Sequence, residues 1–282
     1  MAPRRLLTCL ALGLSFLALI ACTRGNSAPN DHRPRPASAS KLDEAPINKV
    51  PVVHVFVALA DNVNQGIVPV SAALGNGDNP KTNLYWGAAF GVKTFFSRNR
   101  DWQLLSAIQN PSAGILERCV FKHRTRELFL VADAYQGKEI AKATNDFLGA
   151  AAGEPGEKVM AGSTEFSTHG SAELIAYVGH DGLMDFKLTK SPQQRDKRQR
   201  QTIILACASK QYFSQPLEST GANPLLWTTN LMAPEAYVLS AAIDGWIAKE
   251  SGEQVRARAA RAYNQYQHCG LRAAMGLFAS GW

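Results

Sequence analysis

The chain has 282 residues, with 30 Lys and Arg against 23 Asp and Glu, for a formal charge of +7. Hydrophobic residues make up 46% of it, which suits a large packed core and excludes a wholly disordered chain. The positive surplus is modest and no basic stripe interleaved with aromatic residues runs through it, so no nucleic-acid partner is implied.

Arg4 and Arg5 precede Leu6 to Ala21, a run that is apolar except at Thr8, Gly13 and Ser15. That is the length of a secretory signal, and it is too short and wrongly flanked for a membrane span. It ends Leu19-Ile20-Ala21-Cys22, which resembles the lipobox of bacterial lipoproteins. The resemblance implies removal of residues 1–21, a lipid on the Cys22 thiol, and attachment to the cell envelope through that lipid. Thr23, in place of an aspartate, implies sorting to the outer membrane in a Gram-negative host, facing the periplasm. The alternative is ordinary secretion with Cys22 as an incidental thiol. Residues 22–49 carry Pro, Ser and charge without an aromatic residue and read as a disordered tether. Residues 50–282 then form one domain, since no internal linker divides them.

Along that domain, Val52 to Ala60 reads as a buried strand, followed by a polar loop from Asp61 to Gly66. Gly75 to Pro80 is rich in turn residues. Leu84 to Ser97 fits a helix, although Gly87 and Gly91 weaken it. Ile115 to Lys122 and Leu128 to Ala132 read as a hairpin or two neighbouring strands, Glu139 to Leu148 as a helix, and Gly149 to Gly170 as a loop. Two short branched or aromatic runs follow, Leu174 to Val178 and Thr202 to Leu205, each expected to be a buried strand. Between them Lys190, Arg195, Lys197, Arg198 and Arg200 form either a solvated helix or loop or a docking place for an acidic partner or substrate. Pro224 to Thr229 is a further strand. Glu235 to Glu250, Gln254 to Gln267 and a last amphipathic piece reaching Phe278 are expected to be helical.

Strands alternating with helices predict an α/β fold, a mostly parallel sheet with helices on both faces. GxGxxG, P-loop, CxxC and HExxH patterns are absent, so the sequence implies no cofactor and no metal. After the signal and Cys22, three cysteines remain: Cys119, Cys207 and Cys269. An odd count leaves at least one thiol free or paired with another chain. Cys119 and Cys269 are a candidate disulfide, which would leave Cys207 as the free one.

The two short runs carry the chemistry. One leads through Gly179 into His180-Asp181-Gly182, the other through Ala206 into Cys207. As parallel neighbours they bring His180 and Cys207 to the carboxyl edge of one sheet, where open α/β sheets place their sites. A thiol beside an imidazole is the minimum equipment for nucleophilic cysteine catalysis. Backbone N–H groups near Cys207 and Gly182 are candidates for an oxyanion hole, and either Asp181 or Asp185 for orienting the imidazole.

The blocks Ala176-Tyr177-Val178-Gly179-His180-Asp181-Gly182 and Ile203-Ile204-Leu205-Ala206-Cys207 resemble the clan CD cysteine peptidases, the group of caspases, legumain, gingipains and separase. That resemblance implies a caspase-like three-layer sandwich, Cys207 as nucleophile, His180 as general base and acid, and a peptide or protein substrate. Asn62 and Asn64, beyond the first strand, and Gly179, Asp181, Gly182, Trp227 and Thr228 become candidate substrate contacts, although Trp227 is better suited to the core. Two features depart from the family pattern. Asp181 separates His180 from its glycine, and Ala208-Ser209-Lys210 replaces the glycine-containing turn after the cysteine. A caspase-like scaffold or binding lipoprotein without catalysis is the alternative reading, and the oligomeric state is left open.

Overall fold

The computed structural model describes residues 44–282; the signal-like segment, Cys22 and most of the tether lie outside the described residues. β1 (Val52–Ala58) is buried at every position, as a run apolar on both faces requires in the middle of a parallel sheet. A long series of turns leads to α1 (Val92–Arg98), then to β2 (Trp102–Ser112), β3 (Ile115–His123) and β4 (Phe129–Tyr135). α2 (Ile140–Ala151) is followed by β5 (Pro155–Ala161) and β6 (Thr164–His169), which pair only with each other. β7 (Leu174–Val178), β8 (Gln201–Leu205), α3 (Ser209–Thr220) and β9 (Asn223–Thr228) come next. α4 (Ala236–Ile247), α5 (Gly252–Gln267), α6 (Leu271–Leu277) and the short β10 (Phe278–Ala279) complete the chain.

Eight strands form one sheet in the order β10-β9-β8-β7-β1-β4-β3-β2. The run from β9 to β4 is parallel throughout, while β3 and β2 on one side and β10 on the other are antiparallel. Val53, Val55 and Val57 of β1 face α1, α4 and α5, and Phe56 and Ala58 face α2 and α3. The fold is therefore the expected α/β sandwich, a mostly parallel sheet between two helical layers. Phe147 of α2 meets Phe56, Tyr177 and Phe213 edge-on, tying α2 and α3 to β1 and β7. Each such ring, fully buried, contributes about 1.5–3 kcal/mol, so the strands that carry the candidate residues are firmly seated.

A charged group crosses this second layer. Asp133 of β4 is completely buried and accepts from Arg118 Nε at 2.6 Å and Nη2 at 2.9 Å, with His54 Nε2 at 3.0 Å. Burial alone would raise its pKa. The hydrogen bonds and charges of His54 and Arg118 outweigh that and hold it at about 2. Arg118 also reaches Glu157, which is half exposed on the β5–β6 hairpin.

Several elements differ from the sequence reading, each for a local reason. The helix expected from Leu84 begins only at Val92, because residues 84–91 fold into turns in which Gly87 packs directly on the Lys81 carbonyl. The expected loop from Gly149 to Gly170 instead holds the end of α2 and the β5–β6 hairpin. β2 escapes detection because it is an edge strand with most side chains in solvent, so it carries no hydrophobic alternation. α3 is concealed by Pro216, which sits inside it. The packed structure also extends to residues before 50. Ala45 is buried, and Asn48 Nδ2 donates to the Ser167 carbonyl at 2.8 Å and the Ser171 carbonyl at 3.0 Å. Finally, Cys119 and Cys269 are not joined. Cys119 is buried on β3, Cys269 is exposed between α5 and α6, and both thiols are free, as is that of Cys207.

Candidate functional site

The sheet changes direction at β1. From β1 the chain crosses to β4 on one side, then returns past β1 to β7, β8 and β9 on the other. The crevice at such a switch point, outside the carboxyl ends of the strands, is where open α/β sheets bind ligands. β7 and β8 are parallel neighbours in register, Val178 opposite Leu205, so His180 and Cys207 leave the sheet side by side. Both line one cavity of about 280 Å³, together with the loop after β1 (Gly66 to Val70) and the segment after β9 (Leu231 to Pro234).

The backbone on either side of the pair is tightly constrained. Gly179 has φ +146°, and a Cβ there would lie 2.6 Å from the Ala58 carbonyl oxygen of β1. Only glycine lets the chain pass so close to the neighbouring strand in that conformation. Tyr177 then donates its hydroxyl to the His180 carbonyl at 2.8 Å. On the other strand Ala208, next after Cys207, is left-handed at φ 47° and ψ 32°. A left-handed conformation that glycine adopts most readily is held here by alanine. Neighbours hold it: Ala208 N–H donates to the Asn230 carbonyl at 2.9 Å, and Ser209 Oγ donates to the Ile204 carbonyl at 2.9 Å. Thr228 Oγ1 accepts from Ser209 N–H at 3.1 Å and donates to the Ala206 carbonyl.

Alanine in the left-handed region costs on the order of 1–2 kcal/mol, offset partly by glycine's larger unfolded-state entropy of about 0.5–1 kcal/mol. Ala208→Gly is therefore expected to leave stability unchanged or raise it by up to about 1 kcal/mol in urea denaturation. A loss of more than about 1 kcal/mol would mean that the turn is not strained at this residue.

His180 is buried, and its Nε2 meets Asp185 Oδ2 at 2.9 Å. The same carboxylate oxygen accepts from Gly66 N–H at 2.9 Å, so Asp185 joins the imidazole to the loop after β1. Of the two acidic candidates for orienting the ring, the structure selects Asp185. Asp181 turns inward, where its Oδ1 accepts from Leu183 N–H at 3.0 Å and starts a short 3₁₀ turn. Its Oδ2 has no hydrogen-bond partner among the described residues. Burial, opposed by the Leu183 amide and reinforced by the charge of Asp185, lifts the Asp181 pKa to about 7. Cys207 Sγ contacts the Met232 carbonyl at 3.7 Å and makes no hydrogen bond to His180. Burial pushes this thiol above its ordinary pKa, and the Asp181 carboxylate adds to the effect. At neutral pH Cys207 is accordingly a thiol.

The remaining candidates divide clearly. Gly179 lines the cavity with the pair. Gly182 is packed under Phe186, Thr144 and Ile140 and is no part of that lining. Asn62 and Asn64 lie outside that lining, and their amides stitch their own loop. Asn62 brackets Val70, donating to its carbonyl at 2.8 Å and accepting from its N–H at 3.1 Å, and Asn64 Nδ2 donates to Asp61 at 2.8 Å. Trp227 is core, fully buried with its ring edge-on to Trp282. Thr228 braces the Cys207 turn, as described above. After β9 the cavity is instead lined a few residues later, by Leu231 to Pro234. Sequence reading missed Tyr85 and Leu84 in this lining, since they reach the crevice from turns that it assigned to a helix.

The basic cluster is structural at its arginines. Arg195 pairs with Glu154, and Arg200 with Asp196. Arg198 donates to the Pro46, Gly170 and Ser171 carbonyls at 3.2–3.3 Å. Lys190 and Lys197 remain exposed. Among the described residues no group of three or more His, Cys, Asp or Glu side chains is placed to hold a metal, and no helix is long and apolar enough to cross a membrane. No protein-family model, curated protein or solved structure matches the chain.

Proposed function

We propose that this protein is a cysteine hydrolase, acting on peptides or proteins, with Cys207 as nucleophile and His180 as general base and acid. The carrying observation is the delivery of both side chains into one cavity from adjacent parallel strands at the switch point. Asp185 engages His180 Nε2, which leaves Nδ1 to exchange the proton. Because Cys207 rests as a thiol, the proton leaves Sγ as substrate arrives. His180 takes it, sulfur attacks the carbonyl carbon, and His180 returns it to the departing amine as the C–N bond breaks. Water, deprotonated by the same imidazole, then hydrolyses the thioester and restores the thiol. The Cys207 backbone N–H makes no hydrogen bond among the described residues and is the candidate oxyanion donor.

The strand order and the placement of histidine before cysteine support the resemblance to clan CD peptidases, and the lipobox-like segment supports anchorage at the cell envelope through Cys22. The Sγ contact to Met232, with none to His180, favours a second reading: a caspase-like binding module without catalysis. The test compares the full chain in detergent with His180→Ala, using a thiol-reactive probe and mass spectrometry. Catalysis requires labelling of Cys207 faster than of exposed Cys269, slowed at least about tenfold by the substitution. Labelling slower than at Cys269 and indifferent to His180 would establish the binding module.

A further inference from the structure

The lining of the cavity is one-sided in its chemistry. Of its fourteen residues, none is Asp, Glu, Lys or Arg, and apart from His180 and Cys207 the side chains are aliphatic, thioether or phenolic. Ile67, Val68 and Val70 come from the loop after β1, Met184 from the 3₁₀ turn after His180, and Leu231 and Met232 from the segment after β9. The apolar character continues to the rim. Val68, Met184 and Leu231 are 83%, 41% and 66% exposed, and all three belong to this one cavity. The charged groups nearest in sequence are not part of the lining: Asp181 is sealed in the interior, Asp185 is occupied by His180 and Gly66, and Glu235, next to Pro234, accepts from Tyr237 and Gln267. The volume, about 280 Å³, lies just below the range of about 300–1,000 Å³ that holds whole drug-sized molecules. It suits a single side chain entering beside the sulfur.

We propose that the site selects an uncharged apolar side chain, of the leucine or methionine kind, immediately before the carbonyl that Cys207 attacks. The proposal rests on the cysteine hydrolase reading for its chemistry, although the pocket's preference is a binding property that can be read without turnover. A charged side chain would lose its hydration in this cavity and find no opposite charge there. Leucine should therefore be preferred over aspartate or arginine at that position by at least about 100-fold.

The experiment uses the full chain in detergent and three short peptidyl acyloxymethyl ketones, identical except for Leu, Asp or Arg next to the ketone. Cys207 sulfur displaces the carboxylate of each to form a thioether, and the rate is followed by mass spectrometry. The expected result is labelling by the Leu reagent at least about 100-fold faster than by either charged one. Leu231→Asp should move the Leu-to-Arg rate ratio at least about tenfold toward Arg, because it places a carboxylate at the rim. Faster labelling by the Asp or Arg reagent, dependent on His180, would overturn the pocket assignment while leaving the cysteine chemistry intact. If no ketone outpaces iodoacetamide, the corresponding peptide amides are used to protect Cys207 from iodoacetamide. Protection by the Leu amide alone would sustain the pocket and remove the hydrolase. Equal protection by all three, or by none, would overturn the pocket as well.

Discussion

Asp133→Ala is expected to destabilise the fold by about 3–5 kcal/mol, a large share of the roughly 5–15 kcal/mol that holds a typical domain together. The carboxylate lies fully buried between the His54 imidazole and two nitrogens of the Arg118 guanidinium. Removing it strands a guanidinium in the interior, and Glu157, at 49% exposure, is too solvated to replace the lost partner. Glu157→Ala provides the contrast, with an expected loss of no more than about 1 kcal/mol. The pH dependence has a definite sign. The folded pKa of Asp133, about 2, lies below the ordinary value of 3.8, so its contribution is fully present above about pH 4 and is lost as pH falls toward 2. That contribution is roughly 2 kcal/mol, and Asp133→Asn should show a correspondingly shallower loss of stability between pH 5 and 2. Urea midpoints across that range provide the check. Equal slopes for wild type and Asp133→Asn would mean that the pair is not ionised in the folded protein.

The second large effect belongs to Gly179→Ala, expected to cost about 3 kcal/mol or more. Two penalties combine: a φ of +146° that an L side chain rarely adopts, and a Cβ that would sit 2.6 Å from the Ala58 carbonyl oxygen. Backbone of a central strand cannot step aside as a flexible side chain can. Relief must come from parting β7 from β1, which also displaces His180, one residue on. The variant should therefore lose both stability and the His180-dependent reactivity of Cys207. Gly276→Ala is the control, since it sits in helix α6 with nothing within 4 Å of the added carbon, and alanine there should be neutral or stabilising by up to about 1 kcal/mol. If Gly179→Ala unfolds within about 0.5 kcal/mol of wild type, the close approach to β1 has no energetic weight.

The parts of this fold that were legible in the sequence are those with a strong burial signature. The β1, β7 and β8 runs read as buried strands, and with β7 and β8 as parallel neighbours that pattern puts His180 and Cys207 on one sheet edge. β2 and the β5–β6 hairpin expose much of their surface and so have no such pattern to read. Within the site, the choice between Asp181 and Asp185 depended on which side of a 3₁₀ turn each faces, a property set by packing under Ile140 and Phe186 and not by spacing. The missing glycine after Cys207 was a true departure in sequence. At this position Thr228 and Ser209 hold alanine in a left-handed turn, at the backbone cost given above.

The strand order also dictates when the crevice can come into being. β1 is near the front of the described residues, yet its two sheet neighbours are β4 and β7, and Val52 N–H donates to the Glu173 carboxylate across 121 residues. Local contacts therefore cannot nucleate the centre of the sheet, and closing so long a loop precedes any reward from β1–β7 pairing. A chain emerging from its amino terminus presents β1, seven buried residues long, with its carboxyl-side partner still unmade. Until β7 arrives, that strand is an open apolar edge. The crevice itself, which needs the loop after β1 together with the ends of β7 and β8, is thus closed by contacts of long sequence separation.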